Sequence, residues 1–145
     1  MQKFEQKKHF RKALGILLFI AVVFTAISPT VLSAEVSPLY QHISTLGAAL
    51  SINSSGLATS SGSVLPSTSN STTTVTVELQ RRSGSSWVYE ASWSNSGSGT
   101  RTVFQSGQRF VVRGTYRVLV TAVVRCSTTN IILETATRLS HEVTH

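Results

Sequence analysis

From Leu46 onward the chain changes between apolar and polar residues at almost every second position. Leu46, Ala48, Leu50 and Ile52 alternate with small or polar residues. Asn53-Ser54-Ser55-Gly56 then supplies turn chemistry, and Ala58, Ser60, Gly62 and Val64 continue the alternation, which predicts a first β-hairpin. After a Ser/Thr-rich connection from Pro66 to Thr72, Val75, Val77 and Leu79 take one phase while Thr76, Glu78 and Gln80 take the other. Ser83-Gly84-Ser85 predicts a reversal. Trp87, Tyr89, Ala91 and Trp93 follow at period two, which places all four on one face of the next strand and predicts a buried Trp87. Gly97 and Gly99 mark another turn, and Thr100 to Gln105 reads as a short strand followed by Gly107. Tyr116, Val118, Val120, Ala122 and Val124 give the clearest alternation in the chain, so Tyr116, Val118 and Val120 are expected in the core. A turn around Cys126 to Asn130 leads to a last strand through Thr135, Thr137, Leu139 and Val143. No segment after residue 34 carries a helical period. About seven short strands at roughly ten-residue spacing predict an all-β chain, a single antiparallel sandwich.

The beginning of the chain follows another pattern. Met1 to Lys12 carries five basic residues against one Glu, Ala13 to Ile27 is almost unbroken apolar sequence, and Leu32-Ser33-Ala34 is a run of small or apolar residues. This predicts a secretory signal peptide over 1–34, cleaved after Ala34. A retained membrane anchor over Ala13 to Ala34 is the alternative, but Pro29, Ser28, Thr30 and Ser33 interrupt the apolar run before the ~20 residues that a stable span needs. The expected organisation is a signal peptide at 1–34, a short lead at 35–43 and the sandwich at 44–145. The expected location is secreted, extracellular or associated with the cell surface, with no stable membrane span after processing. No Cys lies near the junction for lipid attachment.

Composition narrows the chemistry. Cys126 is the single cysteine, so neither an intramolecular disulfide nor a cysteine-based zinc site can form; a secreted domain without disulfides fits Gram-positive bacterial export. The formal charge is +7, but the leader's five basic residues and Glu5 account for much of it, leaving eight Arg against five Glu. The chain contains no Asp, which removes the usual acidic calcium loops and most carboxylate dyads.

Gly114-Thr115-Tyr116-Arg117-Val118-Leu119-Val120 resembles the penultimate strand of immunoglobulin-like domains, in which a Tyr precedes a core position by two and its hydroxyl bonds back to the corner backbone. Val118 stands where antibody domains carry a cysteine, so the expectation is an immunoglobulin-like β-sandwich without the antibody disulfide. The signal peptide, the stretch Ser44-Thr45-Leu46 to Gly62-Ser63-Val64, the stretch Val77-Glu78-Leu79-Gln80-Arg81-Arg82-Ser83-Gly84-Ser85-Ser86-Trp87 and Gly114-Thr115-Tyr116-Arg117-Val118 together resemble a group of small secreted proteins of Firmicutes-type bacteria. That resemblance implies fold and export, and it transfers no catalytic residue.

Several short motifs invite specific chemistry. His141-Glu142-Val143-Thr144-His145 matches HExxH, in which two His on adjacent helical turns bind zinc and the Glu activates water. It follows a β-type run and contains β-branched Val143 and Thr144; as a strand it would put His141 and His145 on one face and Glu142 on the other, with His42 as the remaining His that could join them. Leu65-Pro66-Ser67-Thr68-Ser69 approximates a wall-sorting signal but has Ser69 in place of Gly and reads as a loop. Asn53-Ser54-Ser55 and Asn70-Ser71-Thr72 fit the N-glycosylation pattern at expected turns. Cys126 is a candidate reactive or dimerising thiol.

No nucleophile, base and orienter form a coherent set in the sequence. The expected function is therefore a noncatalytic binding or structural module at the bacterial surface, without a cofactor; the alternative is a zinc-dependent hydrolase using His141, Glu142 and His145. The candidate contacts are Arg113, Arg117 and Arg125, with Arg117 and Arg125 sharing the outward phase of one strand. The expected partner is an anionic cell-wall polymer or another surface protein, and not nucleic acid.

Overall fold

The structure, a computed structural model, describes residues 39–145. The signal peptide expected over 1–34 and the first residues of the lead lie outside the described residues. The described chain is all-β: β1 (Ile43–Ile52), β2 (Leu57–Pro66), β3 (Ser71–Ser83), β4 (Ser86–Ser98), β5 (Val103–Phe110), β6 (Thr115–Cys126), β7 (Ile132–Leu139) and β8 (Val143–Thr144). They form two antiparallel sheets, one ordered β1-β2-β5 and the other β4-β3-β6-β7, with the short β8 added to β6. This is a β-sandwich.

The inward phase of each strand makes the core. Val75, Val77 and Leu79 of β3 and Tyr116, Val118, Val120, Ala122 and Val124 of β6 are buried, facing Leu46, Ala58, Val64 and Val103 of the smaller sheet. Small residues of the smaller sheet let the layers approach closely. A Cβ on Gly62 would lie 2.8 Å from the Val77 and Val120 side chains, and one on Gly107 would overlap the Trp93 ring. Side chains close both open sides. Asn95 Nδ2 of β4 donates to the Phe104 carbonyl of β5 at 2.8 Å. On the other side the Glu134 carboxylate of β7 accepts the N–H groups of Gln41 and His42, just ahead of β1, at 3.3 and 2.6 Å. The Tyr116 hydroxyl donates to the Val112 carbonyl at 2.8 Å and fixes the corner where the chain passes from β5 to β6.

The structure corrects three expectations. Trp87 is not in the core. Leu79 pairs with Ala91 but Gln80 pairs with Tyr89, so Glu90 is an extra residue in β4. This bulge reverses the phase: Ala91 and Trp93 stay on the inner side, Trp87 and Tyr89 turn outward, and Tyr89 is exposed. The Glu90 carboxylate meets Arg81 at 2.7 Å. Gly97 is not a turn residue either, and Gly107, expected just after the short strand, is part of it; both lie inside strands, Gly97 opposite the Val103 side chain and Gly107 under Trp93. Their missing side chains serve close approach, and the turn itself uses Gly99, at φ 74°. Finally, the last strand is two: β7 ends at Leu139, and Val143 belongs to β8, paired with Tyr116.

Candidate functional site

The outer face of the larger sheet is assembled from the polar phase of β3 and β6 and the neighbouring positions of β4. Across its middle run hydroxyl rows: Thr76 faces Ser94 on β4 and Thr121 on β6, while Thr74 faces Ser96. The Thr76–Ser94 and Thr74–Ser96 hydroxyl pairs are each 2.8 Å apart. At one end the Glu90 bulge delivers Trp87 to this face beside Arg82 and Arg117. The Arg117 guanidinium lies 4.1 Å from the Trp87 ring centroid, and that of Arg82 lies 5.9 Å away. Cation–π attraction of this kind contributes ~0.5 to 2 kcal/mol. Arg117 Nε donates to Gln80 Oε1 at 2.8 Å, and Gln80 Nε2 donates to Glu78 Oε1 at 2.7 Å. A stacked cation, an indole and a short polar relay thus form one continuous row.

The three arginines expected to make surface contacts are not gathered at one point. Arg117 is the member held in the row. Arg125 shares its face but sits eight residues along β6, about 26 Å away at ~3.3 Å per residue, where Nη1 makes only a long contact of 3.5 Å with the Asn130 carbonyl. Arg113 lies off the sheet, exposed in the β5–β6 connection. The alternation of the sequence does not disclose the Arg117–Trp87 pairing, because read unbroken through Glu90 it puts Trp87 inside. A signal for it does exist: Ser83 and Ser86 flank the two-residue Gly84-Ser85 turn, so Arg82 and Trp87, one residue further out on each strand, face each other across the hairpin.

The His141–His145 segment is extended. Val143 and Thr144 pair with Tyr116 and Thr115, and His145 exchanges two backbone hydrogen bonds with Gly114. The two His therefore do not occupy successive turns of a helix, and Glu142 lies 3.5 Å from Arg82. Among the described residues, no three His, Cys, Asp or Glu side chains gather as a metal-binding group. No described helix is long and apolar enough to cross a membrane. Pro66 of the Leu65-Pro66-Ser67-Thr68-Ser69 stretch is buried at the end of β2. Asn53 turns its Oδ1 back to accept the N–H groups of Ser55 and Leu57.

Cys126, at the end of β6, is partly buried and carries no disulfide. Hydrogen bonds from the hydroxyls and backbone of Thr128 and Thr129 lower its pKa to about 6, and the Thr128 hydroxyl is 3.2 Å from the sulfur. These bonds favour the thiolate over the thiol. No family model, curated protein or solved structure matches this chain.

Proposed function

We propose that this chain is a secreted, noncatalytic binding module of immunoglobulin-like sandwich form that acts at a bacterial surface by contact with an anionic wall polymer. The immunoglobulin-like reading is supported by the strand order, β1-β2-β5 against β4-β3-β6-β7, and by the Tyr116 corner bond. The functional reading rests above all on Arg117. Its guanidinium is pinned between Trp87 and Gln80, and no carboxylate pairs with it among the described residues. A cation ordered in advance loses little side-chain entropy when an anion arrives. The hydroxyl rows lead from it toward Arg125 at the far end of the face. A spacing of about 26 Å suits a long chain with repeated negative charges and exceeds the reach of a small anion.

The test is a pull-down of the processed chain on purified cell walls, with and without their anionic polymer, across a salt series. Binding is expected only when the polymer is present. It should weaken as salt shortens the Debye length from ~10 Å at 0.1 M to ~3 Å at 1 M. Arg117→Ala and Arg125→Ala should each weaken it about fivefold, the equivalent of ~1 kcal/mol. Indifference to walls at low salt, or equal binding by both variants, would remove this face from consideration.

A further inference from the structure

Charge is divided unevenly between the two sheets. The acids among the described residues are Glu78, Glu90, Glu134 and Glu142, all on strands of the larger sheet or just before β8. Each is already engaged: Glu78 by Gln80, Glu90 by Arg81, Glu134 by two backbone N–H groups and Glu142 by Arg82. The smaller sheet, β1-β2-β5, contains no Asp or Glu. Its one charged residue is Arg109, next to the end of β5, and Arg113 follows in the connection to β6.

The segment from Arg109 to Arg113 forms a tip on this acid-free half. Val111 packs against the core, so the alternation sends Phe110 and Val112 the other way, where they are 72% and 67% exposed. The backbone that carries them is pinned. Val111 N donates to the Gly56 carbonyl at 2.9 Å, the Tyr116 hydroxyl donates to the Val112 carbonyl at 2.8 Å, and Gly114 and His145 exchange two backbone bonds. The adjoining turn from Asn53 to Gly56 is uncharged. Scattered exposed apolar residues are ordinary on a soluble surface. Here two lie in one phase on a fixed backbone, and the two Arg that flank them in the sequence have no ion pair among the described residues.

We infer that the Arg109–Arg113 tip docks reversibly on the anionic lipid surface of a bilayer. Phe110 and Val112 enter the boundary between headgroups and acyl chains, and Arg109 and Arg113 stay with the lipid phosphates. A wall polymer offers negative charge but no apolar layer to receive Phe110 and Val112, which is why the lipid surface is the better complement. This contact is separate from the Arg117–Trp87 row and does not rest on the wall-polymer reading.

The experiment is vesicle flotation of the processed chain, its N-terminus checked by intact mass, with phosphatidylcholine alone or with about one third phosphatidylglycerol. Binding to the anionic vesicles at low salt is expected, and little to the neutral ones. The Arg109→Gln, Arg113→Gln pair should weaken it about 25-fold, or about fivefold for each charge removed near the surface, and should flatten the salt dependence. Phe110→Ser with Val112→Ser should weaken it about tenfold or more. Phe104→Ser, an exposed aromatic at the other end of β5, should leave it unchanged, as should Arg117→Ala. Circular dichroism establishes that each variant is folded, and the exposed Arg pair keeps the test decisive if the apolar pair disturbs the corner. Equal binding to both vesicle types, full binding by the tip variants, an equal loss with Phe104→Ser, or tip-dependent capture by isolated wall polymer in place of vesicles would overturn the inference.

Discussion

Thr73 and Ser60 carry hydroxyls into the interior of the sandwich, both fully buried and without a hydrogen-bond partner among the described residues. A buried hydroxyl normally finds a partner, as the Tyr116 hydroxyl does at the Val112 carbonyl, because leaving one unmet costs about 1 to 3 kcal/mol. Thr73 lies on β3 between Gly97 and Val124, and valine has nearly its shape with a methyl in place of the hydroxyl. Thr73→Val is therefore expected to stabilise the fold by about 1 kcal/mol, raising the melting temperature by a few degrees. Ser60→Ala is less clean, since it removes an atom and leaves a small void. Thermal circular dichroism checks the claim; a lower melting temperature for Thr73→Val would mean that the hydroxyl does have a polar partner.

Strand β4 shows what the sequence discloses about an element and what it withholds. The β1–β2 hairpin from Thr45 onward and the phase of β6 are legible because each of those runs has one residue per pleat, with turn residues at the ends. The bulge in β4 was not legible. Glu90 is an ordinary strand residue, and only its pairing with β3 shows that two residues of one strand oppose the space of one on the other. The same hidden step accounts for the candidate site: the outward phase of Arg117 is plain in the sequence, but unbroken alternation places its partner Trp87 on the wrong face. Gly97 reads as a turn residue for a related reason, since a turn glycine and a close-approach glycine are the same letter, and Gly107 inside β5 is of the close-approach kind. Adding a Cβ there drives it into the Trp93 ring, so Gly107→Ala is expected to cost about 3 kcal/mol. Trp93→Leu in that background should recover part of the loss. Chemical denaturation of the two single variants and the double would give a coupling of at least ~1 kcal/mol; strict additivity would mean that the two residues do not share that space.

At the scale of the whole molecule, a sandwich must hold two sheets together where no strand ladder joins them. The core does this over the middle, and the sides depend on individual side chains. One side has the Asn95 bond to the Phe104 carbonyl; the other has the Glu134 carboxylate bridging to the N–H groups of Gln41 and His42. The second is charge-assisted and ties the chain just ahead of β1 to β7, so it also sets where the sandwich begins. Its partners are partly solvated, which places the contribution at the lower end of the range for bonds to charged groups, about 1 to 2 kcal/mol. Glu134→Ala should open this side locally without unfolding the rest. Hydrogen exchange should then quicken by roughly tenfold at the amides of Gln41 and His42, while the amides of β3 and β6, protected by the ladder at the centre of the larger sheet, change only by the loss in global stability. If the Gln41 and His42 amides keep their protection, the side is held by the packing of Ile43 and Leu46, both buried in the core, and the carboxylate contributes little to closing it.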